Sequence, residues 1–165
     1  MIRILKTLLK KRPTVNEDGG VRKYIDRDAS KHIVSKLIIS FECVFSTVAI
    51  AEEIPIKHGI YTLSAKLKDG AVRGEYKLRT RDGGGEEFLF RNSHMFMREL
   101  QSIVTEYNFA AFNGEEYFVS GLPDMYGAKI SIVYASGESI YANNNQDCFL
   151  PVDAMTDLVE LFDVR

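Results

Sequence analysis

The 165-residue sequence predicts an α+β fold, an antiparallel sheet of hairpins covered on one face by two helices, with a short helix at the N-terminus. Three observations predict it. Residues 60–80 alternate apolar and polar on both sides of Asp69-Gly70, a dipeptide suited to a two-residue turn with positive φ. A second alternating stretch, 129–143, folds back at Ala135-Ser136-Gly137, and two segments, 93–108 and 151–162, space apolar residues by three and four.

In chain order, residues 1–9 place Ile2, Leu5, Leu8 and Leu9 among Arg3 and Lys6, with Lys10, Lys11 and Arg12 following, a basic amphipathic helix stopped by Pro13. Residues 14–30, with Gly19-Gly20, read as a mobile connection, so residues 1–30 stand apart from a single domain over 31–165. Leu37, Ile39, Phe41, Cys43 and Phe45 alternate over the longest strand signal, and apolar residues on its second face place it centrally. The organising hairpin comes next. A turn at Asp69-Gly70 pairs Lys68 with Ala71, Leu67 with Val72, Leu63 with Tyr76 and Tyr61 with Leu78, which gathers every apolar side chain on one face. Phe88-Leu89-Phe90 reads as a further strand.

Asn92 or Ser93 caps a helix with Phe96, Leu100, Ile103, Val104 and Tyr107 inward, and Asn108 ends it. The aromatic stretch 109–114 reads as a satellite of the core, followed by a short strand at 117–120 and a turn at 121–124. In the second hairpin Val133 faces Ser139, Ile132 faces Ile140 and Ile130 faces Ala142, while Tyr141 points the other way. The closing helix turns Met155, Leu158, Val159 and Phe162 inward.

Composition bounds the function. With 45% hydrophobic and 27% charged residues the chain is a soluble globular domain, and no apolar run approaches the ~20 residues of a membrane span. Cys43 and Cys148 fit no metal or redox spacing and read as reduced thiols, so the expected location is cytoplasmic. The net charge of -2 conceals an asymmetry: residues 1–81 hold 17 Lys/Arg against 9 Asp/Glu, and residues 82–165 hold 4 against 14. Such a split fits halves that pack together or protomers that meet head to tail as well as it fits a nucleic-acid surface.

Catalytic signals are missing from the pattern. His32, His58 and His94 are far apart, and no nucleophile elbow accompanies them. The pairs Glu52-Glu53, Glu86-Glu87 and Glu115-Glu116 sit in expected loops or edges, where solvation accounts for them. The run Arg81-Asp82-Gly83-Gly84-Gly85 could cradle an anion, but Glu86-Glu87 and a strand follow where a phosphate loop needs a helix, so it reads as a hairpin loop. No catalytic residue, cofactor or metal is assigned.

Tyr107-Asn108, Phe112-Asn113-Gly114, Gly137-Glu138 with Ile140-Tyr141, and the closing amphipathic helix resemble an uncharacterised bacterial α+β family, a domain of unknown function, over the C-terminal half. Where Phe112 stands the family commonly has tryptophan. The resemblance implies no known activity and transfers no catalytic residue.

A non-catalytic protein-interaction domain therefore ranks first, with Lys66, Lys68, Arg73, Lys77 and Arg79 on the polar face of the first hairpin as its contact surface. The expected partner is an acidic protein or a second copy of the chain. A small-molecule-binding or enzymatic domain ranks second, using the loops 109–114 and 143–147, with Phe112, Asn113, Asn144 and Asp147 as pocket residues. Nucleic-acid binding ranks third, because no aromatics interleave the basic face. Membrane contact through residues 1–12 is weighed and set below a terminal helix that caps the sheet or frays.

Overall fold

The computed structural model describes residues 20–121 and 126–165. The expected N-terminal helix and part of the 121–124 turn lie outside the described residues. Eight strands, β1 (Val21–Ile25), β2 (Ile38–Ser46), β3 (Ile60–Lys68), β4 (Ala71–Arg79), β5 (Gly85–Ser93), β6 (Glu115–Val119), β7 (Ala128–Tyr134) and β8 (Ser139–Asn144), form one sheet. Its order is β1-β6-β8-β7-β2-β3-β4-β5. Two helices, α1 (Met95–Glu106) and α2 (Val152–Phe162), and a 3-10 turn at Phe109–Phe112 complete the fold.

The first hairpin takes the register its turn dictates. Asp69 and Gly70 both have positive φ, +53° and +74°, which matches the right-handed twist of the flanking strands. Lys68 then pairs with Ala71, Leu63 with Tyr76 and Tyr61 with Leu78. One-residue slippage would turn Tyr61, Leu63, Tyr76 and Leu78 to solvent, and each buried side chain of this size stabilises by about 1.5–3 kcal/mol. The β4-β5 and β7-β8 connections share another device: the N–H of Gly83 donates to Thr80 O and that of Gly137 to Tyr134 O. Ladder pairing resumes with Thr80 N–H to Gly84 O and Tyr134 N–H to Glu138 O. As a result Ile132 faces Ile140 and Ile130 faces Ala142.

Both helices lie on the face that carries Phe41, Cys43, Phe45, Leu63 and Tyr76, and β2 runs through the middle of the sheet. The ring of Phe162 on α2 meets Phe41 of β2, Phe90 of β5 and Phe96 of α1 at centroid distances of 5.8, 5.8 and 5.0 Å. Leu100 and Leu158 are fully buried, whereas Leu67 and Ile103 are only partly so. His94 occupies the N-cap position of α1 without a side-chain cap, while Ser93 Oγ accepts from Met95 N–H at 3.3 Å. Asn108 takes the left-handed conformation, φ +48°, that ends the helix.

Two expectations need correction. Residues 21–25 are not part of a connection: β1 pairs antiparallel with β6 along its whole length, from Val21 opposite Val119 to Ile25 opposite Glu115. The sheet is also mixed rather than purely antiparallel, because β6 runs parallel to β8. The chain passes from β6 to β7 before turning back as β8, so β8 reaches β6 after two reversals and points the same way.

A candidate protein-docking face

Opposite the helices, the register lines up side chains in rows that cross the sheet. One row runs Tyr24, Glu116, Asn143, Lys129, Val44, Thr62, Lys77 and Glu87 through all eight strands. The next runs Tyr141, Ser131, Glu42, Ser64, Glu75 and Leu89. A third, Ser139, Val133, Ser40, Lys66, Arg73 and Arg91, ends in three cations on three consecutive strands.

Lys66, Lys68, Arg73, Lys77 and Arg79 thus share one face, since alternate residues of β3 and β4 point the same way. Neighbouring strands change the charge balance. From β2, Glu42 approaches Lys66 at 3.9 Å, and from β5, Glu87 pairs with Lys77 at 2.6 Å. Strand β5 also adds Arg91 directly opposite Arg73. Among the described residues, Lys68, Arg73, Arg79 and Arg91 make no ion pair. Repulsion between two such exposed cations is on the order of 1 kcal/mol in water and is screened by salt, so the fold tolerates it. Sequence reasoning missed Arg91 because its face depends on the turn at 81–84. The alternation Glu87, Leu89, Arg91 against Phe88, Phe90 carried that signal.

The pocket residues expected from the sequence separate. Phe112 and Asn144 line a cleft of about 180 Å³ beside Phe149 and Tyr117, and the Phe112 and Phe149 rings sit 4.9 Å apart. Asn113 is buried and lines a different cleft, about 340 Å³, with Tyr24, Asp26, Glu138 and Tyr141. Asp147 is exposed and lines neither, and its N–H donates to Asn144 Oδ1 at 3.0 Å.

Ionisable groups do not converge there. Burial pushes the Cys148 thiol up to about 11 and raises that of Cys43, so neither supplies a thiolate at neutral pH. His32, His58 and His94 are all exposed, and among the described residues no three His, Cys, Asp or Glu side chains gather as metal ligands. Glu86, expected to be solvated, binds both Lys57 and Arg165, and those hydrogen bonds, Lys57 first, hold its carboxyl below the usual range. The Arg165 guanidinium lies over the Phe88 ring at 4.9 Å, closing the helix-covered face beside β5. No helix among the described residues is long and apolar enough to cross a membrane. Comparison with known proteins finds no counterpart: no family model, curated protein or solved structure matches the chain.

Proposed function

We propose that this chain is a non-catalytic, cytoplasmic protein-interaction domain that docks an acidic polypeptide segment on its helix-free sheet face. The observation that carries the reading is the row Lys66, Arg73 and Arg91, three cations on adjacent strands, two of which, Arg73 and Arg91, have no ion-pair partner among the described residues. Strand neighbours stand about 5 Å apart and same-face carboxylates of an extended acidic peptide about 6.7 Å apart, a difference that the long, flexible Lys and Arg side chains span. Such a segment would relieve the repulsion within the row and release counterions, giving a contact that weakens as salt rises. Lys68 and Arg79 extend the same field toward the two ends of the hairpin.

Nucleic acid fits less well. Stacking platforms need aromatics interleaved with the basic groups; exposed Tyr24, Phe118 and Tyr141 stand on β1, β6 and β8, and exposed Tyr126 shares a cleft with Arg79 and Arg81 at the end of the hairpin, away from the row Lys66, Arg73 and Arg91. Fluorescence anisotropy with a labelled poly-glutamate peptide tests the reading. Binding at low ionic strength should disappear in the Lys66→Glu, Arg73→Glu double variant while the circular dichroism spectrum stays that of the parent. Binding of single-stranded or duplex nucleic acid near physiological salt, lost in the same variant, would replace the acidic polypeptide with nucleic acid.

A further inference from the structure

Strand β5 closes one end of the sheet, and its nine residues make it the longer edge, against five in β1. Among the described residues nothing pairs with its outer side. Long exposed edges are avoided in monomeric proteins, because a row of free N–H and C=O groups templates pairing with another chain.

The phase of the ladder shows which groups are free. Thr80 N–H donates to Gly84 O, so hydrogen-bonded pairs recur at every second residue, and Glu86, Phe88, Phe90 and Asn92 direct their backbone groups toward β4. The groups of Gly85, Glu87, Leu89, Arg91 and Ser93 point outward, the Ser93 N–H already donating to Asn92 Oδ1 at 2.7 Å. Leu89 is the middle of these five, and its side chain is 79% exposed, more than any other large hydrophobic residue described.

We propose that the chain forms a two-fold homodimer in which β5 pairs antiparallel with β5 of a second copy, Leu89 opposite the second copy's Leu89. That register engages all nine residues. It places Glu87 opposite the second copy's Arg91 and Arg91 opposite its Glu87, and on the helix side it sets Phe88, only partly buried in one copy, against Phe90. Moving the axis to Glu87 or Arg91 opposes like charges. Moving it to Phe88 or Phe90 separates the charged residues from each other and shortens the overlap. The cation row Lys66, Arg73, Arg91 then ends on an anion across the interface, so the like pair Arg73/Arg91 gains a counter-charge. An isologous pairing of this kind closes on itself and removes the edge from both copies. Lys66, Lys68, Arg73 and Arg79 stay exposed on a continuous sheet of sixteen strands, twice the eight of one copy.

Sedimentation equilibrium of the full chain, with circular dichroism as the folding control, tests the pairing. The parent should have twice the 18.7 kDa chain mass. Leu89→Pro should give a folded monomer, because the lost N–H faces away from β4. Glu87→Arg and Arg91→Glu should each be folded and monomeric alone, and an equimolar mixture should form a heterodimer, since only the mixed pair restores opposite charges. Leu89→Cys should cross-link to itself under mild oxidation, which Glu87→Cys should not. A monomeric parent overturns the proposal, as does a dimer that survives Leu89→Pro or a pair of charge variants that fail to associate on mixing. The poly-glutamate experiment addresses the docking face separately, so either result stands without the other.

Discussion

Asn113, at the end of the 3-10 turn, is tied to Tyr141 on β8: its Oδ1 accepts the Tyr141 N–H at 2.8 Å, while its Nδ2 donates to Ser139 O and Ser30 O at 3.0 and 2.9 Å. One buried side chain thus joins the turn, the second hairpin and the segment after β1. Its amide is consumed by these bonds, which gives it a structural role within the cleft it lines.

Asn113→Ala should therefore cost roughly 1–3 kcal/mol for backbone groups left without a partner. The check is chemical denaturation, and the loss should appear with no change in poly-glutamate binding. A near-neutral variant would mean that water replaces the amide without penalty.

Glu138 fastens the segment leading into β2. Its two carboxylate oxygens accept the N–H groups of Val34 and Ser35 at 2.8 and 2.9 Å, and the bond from Val34, then those from Ser136 and Ser35, hold its carboxyl below the usual glutamate range. A lowered folded-state value means that this stabilisation is complete above the unfolded carboxylate range, about 4.3, and fades as pH falls through the folded value. Glu138→Gln should lower the melting temperature near neutral pH, and the gap between variant and parent should close in acid. Hydrogen exchange at Val34 and Ser35 should quicken in the variant at neutral pH, and a gap unchanged in acid would assign the effect to packing.

What the sequence disclosed and what it hid follow from locality. Hairpin registers were legible because Asp69-Gly70 and Ala135-Ser136-Gly137 fix the pairing within a few residues of the turn. Strand β1 was not: Val21, Lys23, Tyr24 and Ile25 are all exposed, so no buried alternation marks it, and it exists through backbone pairing with a strand some ninety residues away. The parallel β6-β8 contact is likewise a product of chain reversal that no local pattern encodes. On the docking face, Lys66 opposite Arg73 was readable from one turn, whereas Arg91 and the neutralising Glu42 and Glu87 come from strands whose phase is set elsewhere.

Helix α1 docks through Leu100, which is fully buried, and only partly through Ile103. Leu100→Ala should cost about 2–5 kcal/mol, as buried large-to-small changes do. Ile103→Ala should cost distinctly less, because its site is open to solvent on one side and leaves no closed cavity. Equal losses in urea denaturation would place Ile103 deeper than the fold has it.

Gly74 on β4 lies opposite Phe90 on β5, and the Phe90 ring occupies the space a side chain at position 74 would fill. A Cβ added there would clash with the Cζ edge of the ring, so Phe90 must move. That ring also packs against Phe96 at 5.2 Å and Phe162 at 5.8 Å, which leaves it little freedom. Gly74→Ala should consequently cost about 1–3 kcal/mol by overpacking, although alanine is ordinarily at least as good as glycine in a strand. Pairing it with Phe90→Leu separates the explanations. If the ring is the obstacle, the smaller side chain should recover part of the loss, and the double variant will be more stable than the sum of the two single changes. Strict additivity in denaturant titrations would instead trace the cost to the β4 backbone itself.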